Sequence, residues 1–243
     1  SQYKSWLYSF SMLTAMSLSD WVDEEDEDEL DLKDKEIDID VELLPFCESD
    51  MDYFVERNIN QDSIEKFNLK YHKLYDAIVI PVYDRENNLT GYVRRNFSGT
   101  RYENAPNITI DDILYPIHLY TPNYENKVML VEGIFDAVRA HQEGLTYTLC
   151  NFGGKLTETQ VRLLGDLTRN VILCPDKDKQ GMRIMQDNLE ILQKYGFGVE
   201  FAVLPGVAKD YASIKEGEQL YYMSYYRLLF NKQTRSDLVF GVT

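Results

Sequence analysis

Two stretches decide the reading: residues 127–136, KVMLVEGIFD, and residues 171–181, VILCPDKDKQG. In each, a short apolar run of strand length stops at carboxylates, and glycine follows within a few residues. Between and after them the pattern repeats. Gly133 to Glu143 has helical periodicity, and Tyr147 to Cys150 is a second apolar run. Glu158 to Leu167 is helical, with Thr157 as its N-cap and Gln160 three residues on. Met182 to Tyr195 is a longer helix with Met185, Leu189, Leu192 and Tyr195 on one face, and Val199 to Leu204 is a fourth strand. Strands that alternate with helices form a parallel sheet covered on both sides. The expected fold is therefore α/β, with a mainly parallel four-stranded sheet flanked by helices.

Ligands bind such sheets at the carboxyl ends of the strands. The first strand ends in Glu132, the third in Asp176-Lys177-Asp178, and the fourth leads to Lys209-Asp210. Asp136 follows Glu132 by one helical turn and can face the same rim. Asp176 and Asp178 are two apart, so in extended chain they point the same way and Lys177 points elsewhere. Converging carboxylates repel each other and call for a cation. A set of hard oxygen donors suits Mg²⁺ or Mn²⁺. On the plainer reading these acids cap helices or pair with Lys177, Lys179 and Lys209.

Upstream, residues 50–70 read as helical. Ala77 to Tyr83 is β-rich, Asp84 to Asn88 supplies turn residues, and Leu89 to Asn96 returns as the second strand of a hairpin ending in Arg94-Arg95. A smaller mixed α+β subdomain thus precedes the α/β part. Arg94, Arg95 and Arg101 offer planar, permanently charged forks suited to phosphate. Strand alternation puts only one of Arg94 and Arg95 on a working face.

These motifs, in this order, resemble the Toprim domain of primases, topoisomerases and some nucleases: VEGIFD (131–136), DKDKQG (176–181) and Lys209-Asp210. The loop 151–157, NFGGKLT, is similar to that of the primase branch. The preceding block, YFVERNI (53–59), then 78–84, GYVRR (91–95) and RYENAP (101–106), resembles the start of a DnaG-like, bacterial or phage-type primase core. The resemblance covers most of residues 50–214. It implies an RNA-polymerase core that joins ribonucleoside triphosphates on a single-stranded DNA template, with Glu132, Asp176 and Asp178 catalytic. It implies two Mg²⁺ or Mn²⁺ ions held by Glu132, Asp136, Asp176, Asp178 and Asp210. Arg57, Arg94, Arg95, Arg101, Lys177 and Lys209 are then expected on nucleotide or template. A replicative helicase is the expected protein partner, and the cytoplasm (that of the host for a phage protein) the expected compartment. The chain departs from the family at Asn58, where glycine is usual, at Lys177, where a small residue is common, and at Tyr211-Ala212, where many members add a second acid. Two alternatives stay open: a Toprim metal nuclease using the same acids, and a non-catalytic single-strand-binding module of the replisome.

Composition bounds the rest. The chain has 243 residues, 44% hydrophobic, with a formal charge of −16. Residues Asp23 to Glu42 hold 13 acids and 2 lysines, so −11 lies in that run and only −5 on the remainder. Bulk positive charge therefore does not draw this protein to nucleic acid. The run reads as a solvated, self-repelling tether, or less simply as a DNA mimic. Cys47, Cys150 and Cys174 are far apart, and His72, His118 and His141 are scattered, so neither a disulfide framework nor zinc is expected in this chain. The apolar stretch from Trp6 to Leu18 is too short to span a membrane, and residues 4–22 read as an amphipathic helix. The expected divisions are 1–48, N-terminal helix and acidic linker; 49–124, basic subdomain; 125–214, Toprim domain; and 215–243, a C-terminal helical segment. A chain without an initial Met reads as a catalytic core cut from a longer protein that carries a zinc module.

Overall fold

The computed structural model describes residues 43–44, 51–73, 76–97, 102–104, 108–215 and 221–224. The expected helix at 4–22, the acidic run, Cys47 and Arg101 lie outside the described residues.

Two five-stranded sheets pack together. The first is antiparallel, in the order β1 (Leu43–Leu44), β2 (Lys70–His72), β3 (Ala77–Tyr83), β4 (Leu89–Asn96), β5 (Tyr102–Asn104). Before β2 stand two short helices, α1 (Asp52–Glu56) and α2 (Gln61–Lys66). The second part runs β6 (Lys127–Val131), α3 (Ile134–Gln142), β7 (Thr148–Cys150), α4 (Glu158–Leu167), β8 (Asn170–Cys174), α5 (Lys179–Lys194), β9 (Gly198–Val203) and β10 (Tyr221–Ser224). Its strand order is β10-β9-β8-β6-β7, with β6–β9 mutually parallel. The α/β expectation of four parallel strands holds. The fifth strand was not expected: Tyr221–Ser224 pairs antiparallel with β9. The helical assignment of 215–243 is thereby corrected at these four residues. Their aromatic, β-prone composition suits the open edge that β9 otherwise presents.

Strand β6 shows why the two halves form one body. Its side chains alternate between faces. Val128 and Leu130 enter a core with Leu164, Leu173, Leu192 and Phe201, beneath α4 and α5. Met129 and Val131 enter the other core, with Ile78, Ile80 and Val93 of the antiparallel sheet and Phe54, Phe67 and Phe135. The α/β sheet is thus covered by helices on one side and, on the other, by α3 together with the first sheet.

The single helix read for residues 50–70 is in fact two, and the reason is local. Asn58 has φ 52° and Asn68 has φ 50°. At each, the next amide reaches back across the turn, Ile59 N to Phe54 O at 2.9 Å and Leu69 N to Ile64 O at 3.0 Å, the bonding of a left-handed helix stop. Asparagine tolerates this conformation, which accounts for Asn58 where the resemblance leads one to expect glycine. The corner is latched to α3 by one side chain. Gln142 Oε1 accepts from Asn60 N at 2.8 Å and from Ser63 Oγ at 3.0 Å, while its Nε2 donates to Asn58 O at 2.8 Å.

The Thr157–Gln160 capping box forms as read, and Gln160 Nε2 also donates to Ile110 O and Ile113 O at 3.1 and 2.9 Å. Helix α5 begins three residues before the expected Met182 because Asp178 caps it. Asn58→Ala, which forces a Cβ-branched-free but still L-configured residue into positive φ, should lower stability by about 1 kcal/mol in urea unfolding, whereas Asn58→Gly should not lower it.

Candidate metal and nucleotide site

The carboxyl ends of β6, β8 and β9 are neighbours, so the acids that follow them share one rim. Four of the five carboxylates each accept a backbone amide, two of them from another strand-end loop and two from their own turn. Glu132 Oε1 accepts from Asp176 N at 3.1 Å. Asp136 Oδ1 accepts from Ala212 N at 2.8 Å. Asp178 Oδ1 accepts from Gln180 N and Gly181 N, both at 2.8 Å, as the cap of α5. Asp210 Oδ1 accepts from Ser213 N at 2.8 Å, capping the short turn Tyr211–Ser213. The plainer reading of helix capping is therefore true of one oxygen of Asp178 and one of Asp210, and among the described residues no hydrogen bond is seen to the second oxygen of either.

Asp176 differs. No hydrogen bond to its carboxylate is seen among the described residues. Its carboxyl is pushed up to about 8, first by burial and then by the charges of Asp136, Glu132, Asp210 and Asp178. Asp136, 8% exposed, is pushed up to about 7 by burial and by Asp210, against the lowering pull of the Ala212 and Gly133 amides. Burial raises Glu132 as well, the Asp176 amide opposing it and the Asp178 charge adding to it. Carboxylates crowded out of water without a counter-charge favour the protonated form.

Oxygen-only donors under this mutual repulsion fit a hard divalent cation. Among the described residues, no three His, Cys, Asp or Glu side chains stand close enough to enclose one ion as they are. The rim brings the five acids together without drawing them to a single point. Two glycines keep it open. A Cβ on Gly181 would lie 2.6 Å from Glu132 Oε1 and 2.5 Å from Asp176 O, and one on Gly133 would lie 2.5 Å from Asp136 Oδ2.

Two lysines border the rim. Lys177 N donates to Lys209 O at 2.6 Å, and its Nζ donates to Gly206 O at 2.9 Å. Lys209 is exposed, and its amide donates to Ser213 Oγ.

The antiparallel sheet decides between the two hairpin arginines. Across it run the row Tyr71, Ile78, Arg95, Tyr102 and the row Lys70, Val79, Arg94, Glu103. Ile78 belongs to the core between the sheets, so Arg95 shares the face turned to the α/β part. Arg94 is on the opposite face, where Nη2 pairs with Glu103 Oε2 at 2.8 Å. The Arg95 guanidinium lies 4.7 Å from the Tyr102 ring centroid and 5.7 Å from that of Tyr53. Arg57 stacks on Tyr53 at 3.8 Å. Burial raises the Tyr53 hydroxyl, the charges of Arg57 and Arg95 oppose that shift, and the charge of Asp136 adds to it. The structure thus gathers Arg57 and Arg95 beside the acidic rim and sets Arg94 apart. Sequence reading gave Tyr53, Tyr102 and the two glycines no role. The spacing of Tyr53 and Arg57, one helical turn, was the available signal.

Residues 129–214, the α/β sheet with its acidic rim, match the family described as Toprim-like. With the antiparallel sheet placed before it, the fold is similar to that of solved DnaG catalytic cores. The chain is 24% identical over 212 residues to the DNA primase of Clostridium acetobutylicum, covering 70% of this chain and 36% of that protein, so it spans about a third of that relative's length. In structure it is similar to the Aquifex aeolicus primase comprising zinc-binding and RNA polymerase domains (TM-score 0.62, 21% identity, 79% of this chain and 55% of that one). It is also similar to the DnaG primase catalytic domain bound to ssDNA (TM-score 0.57, 21% identity, 68% and 67%). Among the described residues no helix is long and apolar enough to cross a membrane.

The raised carboxyls carry a pH sign. The folded protein holds protons on Asp176 and Asp136 that the unfolded chain releases near its ordinary value of 3.8. Metal-free stability should therefore fall as pH rises from about 4 towards 8, and Mn²⁺ should raise the melting temperature more at about pH 8 than at about pH 5.5. Asp176→Asn should flatten that pH profile, raise the metal-free melting temperature and remove most of the Mn²⁺ response. Gly181→Ala, with its Cβ against Glu132 and Asp176, should weaken Mn²⁺ binding measured by calorimetry while α5 stays folded by circular dichroism.

Proposed function

We propose that the chain is the catalytic core of a DNA primase, which makes short RNA primers from ribonucleoside triphosphates on single-stranded DNA. The observation that carries this reading is the Asp176 carboxylate: half-buried among four other acids, without a hydrogen-bond donor among the described residues, and on a rim flanked by Arg57 and Arg95. The reaction joins a 3′-hydroxyl to the α-phosphate of the incoming triphosphate, and pyrophosphate leaves. Glu132, Asp176 and Asp178, flanked by Asp136 and Asp210, are the residues to hold Mg²⁺ or Mn²⁺, whose charge stabilises the reacting phosphate oxygens. A pair of ions is in keeping with five acids.

The chain's own groups do the rest. Arg57 and Arg95 bind phosphate of template or triphosphate through fixed, planar forks. Glu132 holds the Asp176 amide and so sets the loop after β8. Asp136 does the same for the turn after β9 through Ala212. No side chain is singled out as general base. Lys209 and, outside the described residues, Arg101 are further candidates for phosphate, and Lys177 contributes through the loop it ties to Gly206. The whole protein's partners, a replicative helicase among them, and its cytoplasmic setting belong to the same proposal.

The test supplies single-stranded DNA, the four ribonucleoside triphosphates and Mn²⁺, with no pre-existing primer end. Short RNA with a 5′-triphosphate is expected. Cleavage of the DNA without RNA would transfer the rim to a nuclease, and metal-independent binding with neither product would leave a binding module. In template binding, Arg95→Ala should make the salt dependence shallower by about 0.7 in log–log slope, the loss of one single-strand phosphate contact. Arg94→Ala, on the far face, should change it less.

A further inference from the structure

Tyr53 stands where the basic and acidic halves of the site meet. Its ring packs edge-on against Phe54, Phe97 and Phe135, with centroids 5.7, 5.8 and 5.3 Å away. These three neighbours come from α1, from the exit of β4 just after Arg95, and from the first turn of α3 next to Asp136. Three ring contacts restrict the rotamers open to Tyr53. Arg57 stacks on it at 3.8 Å, and Arg95 lies at 5.7 Å. Arginine side chains on a surface otherwise sample many rotamers, and a fixed aromatic face restricts them.

We propose that Tyr53 is a positioning residue for the nucleic-acid site: its ring holds Arg57 and Arg95 at a set place beside the acidic rim, so that both guanidiniums meet phosphate already oriented. The inference rests on the primase reading for the identity of the phosphate ligand. It differs from plain core packing in a testable way. A packing ring is replaceable by any side chain that fills the volume, whereas a ring that orients cations is replaceable only by another aromatic.

The experiment measures binding of a fluorescent single-stranded oligothymidylate over a salt series, with melting temperatures alongside, for wild type, Tyr53→Phe, Tyr53→Met, Tyr53→Leu, Arg57→Ala and the Tyr53→Met/Arg57→Ala double variant. Tyr53→Met, which fills the space without a π face, should weaken binding about threefold to tenfold. It should also make the salt slope shallower by about 0.7 or more. Tyr53→Phe should keep most of the affinity. In the Arg57→Ala background Tyr53→Met should cost less than alone, because part of its effect runs through that arginine. The Leu variant repeats the test should Met lower the melting temperature. Wild-type affinity and slope in both Met and Leu variants would overturn the inference, as would a loss in Phe equal to that in Met. A wild type that binds no single strand at all would overturn the primase reading, and this inference with it.

Discussion

The working end of this molecule depends on holding like charges together on one half-buried rim, with Asp136 at its buried base. Two unit charges at contact distance cost several kcal/mol at the effective dielectric of a protein, on the order of 4 kcal/mol at 4 Å. The fold meets that cost with backbone amides from the strand-end turns. Asp176 N goes to Glu132, Ala212 N to Asp136, Gln180 and Gly181 N to Asp178, and Ser213 N to Asp210. Each bond links an acid on one loop to the chain of that loop or the next, so the acids order the loops and the loops hold the acids. The parallel sheet supplies the common rim, and the alternation of β6 supplies the floor on both of its sides.

Much of this was legible in the sequence because it rests on local pattern. Short apolar runs bounded by carboxylates and glycine specify β6 and β8, and the Thr157–Gln160 spacing specifies the start of α4. What escaped depended on chain far away or on backbone conformation. The strand at Tyr221–Ser224 exists because β9 leaves an edge, a fact of tertiary structure that no period in those four residues reveals. The split of α1 from α2 turned on the left-handed conformation of Asn58, and the earlier start of α5 on whether Asp178 would cap.

The site was legible in kind and less so in arrangement. Strand-end position was enough to name the five acids. It was not enough to separate Asp176, whose carboxylate has no hydrogen-bond donor among the described residues, from the four that have one, since that depends on which amides the turns present. Alternation left Arg94 and Arg95 undecided. The register of β4 against β3, with Arg95 opposite Ile78 and Arg94 opposite Val79, separates them, because Ile78 faces the core between the sheets.

The charge arithmetic then takes on a sense it lacked in the sequence alone. A net −16 speaks against nucleic-acid binding only if charge acts in bulk, and here it does not. Eleven of those negative charges lie in one run outside the described residues, and the rim's acids are the very groups a divalent cation neutralises. Arg57 stacks on the Tyr53 ring and Arg95 lies over that of Tyr102, and the Tyr53 hydroxyl between them also feels the charge of Asp136. On the primase reading, a phosphate approaching such a site would meet guanidinium together with a bound cation, whereas the metal-free carboxylates would repel it. Affinity for phosphate would thereby be coupled to occupancy by metal, and the same repulsion that lowers the stability of the empty rim would favour its being filled.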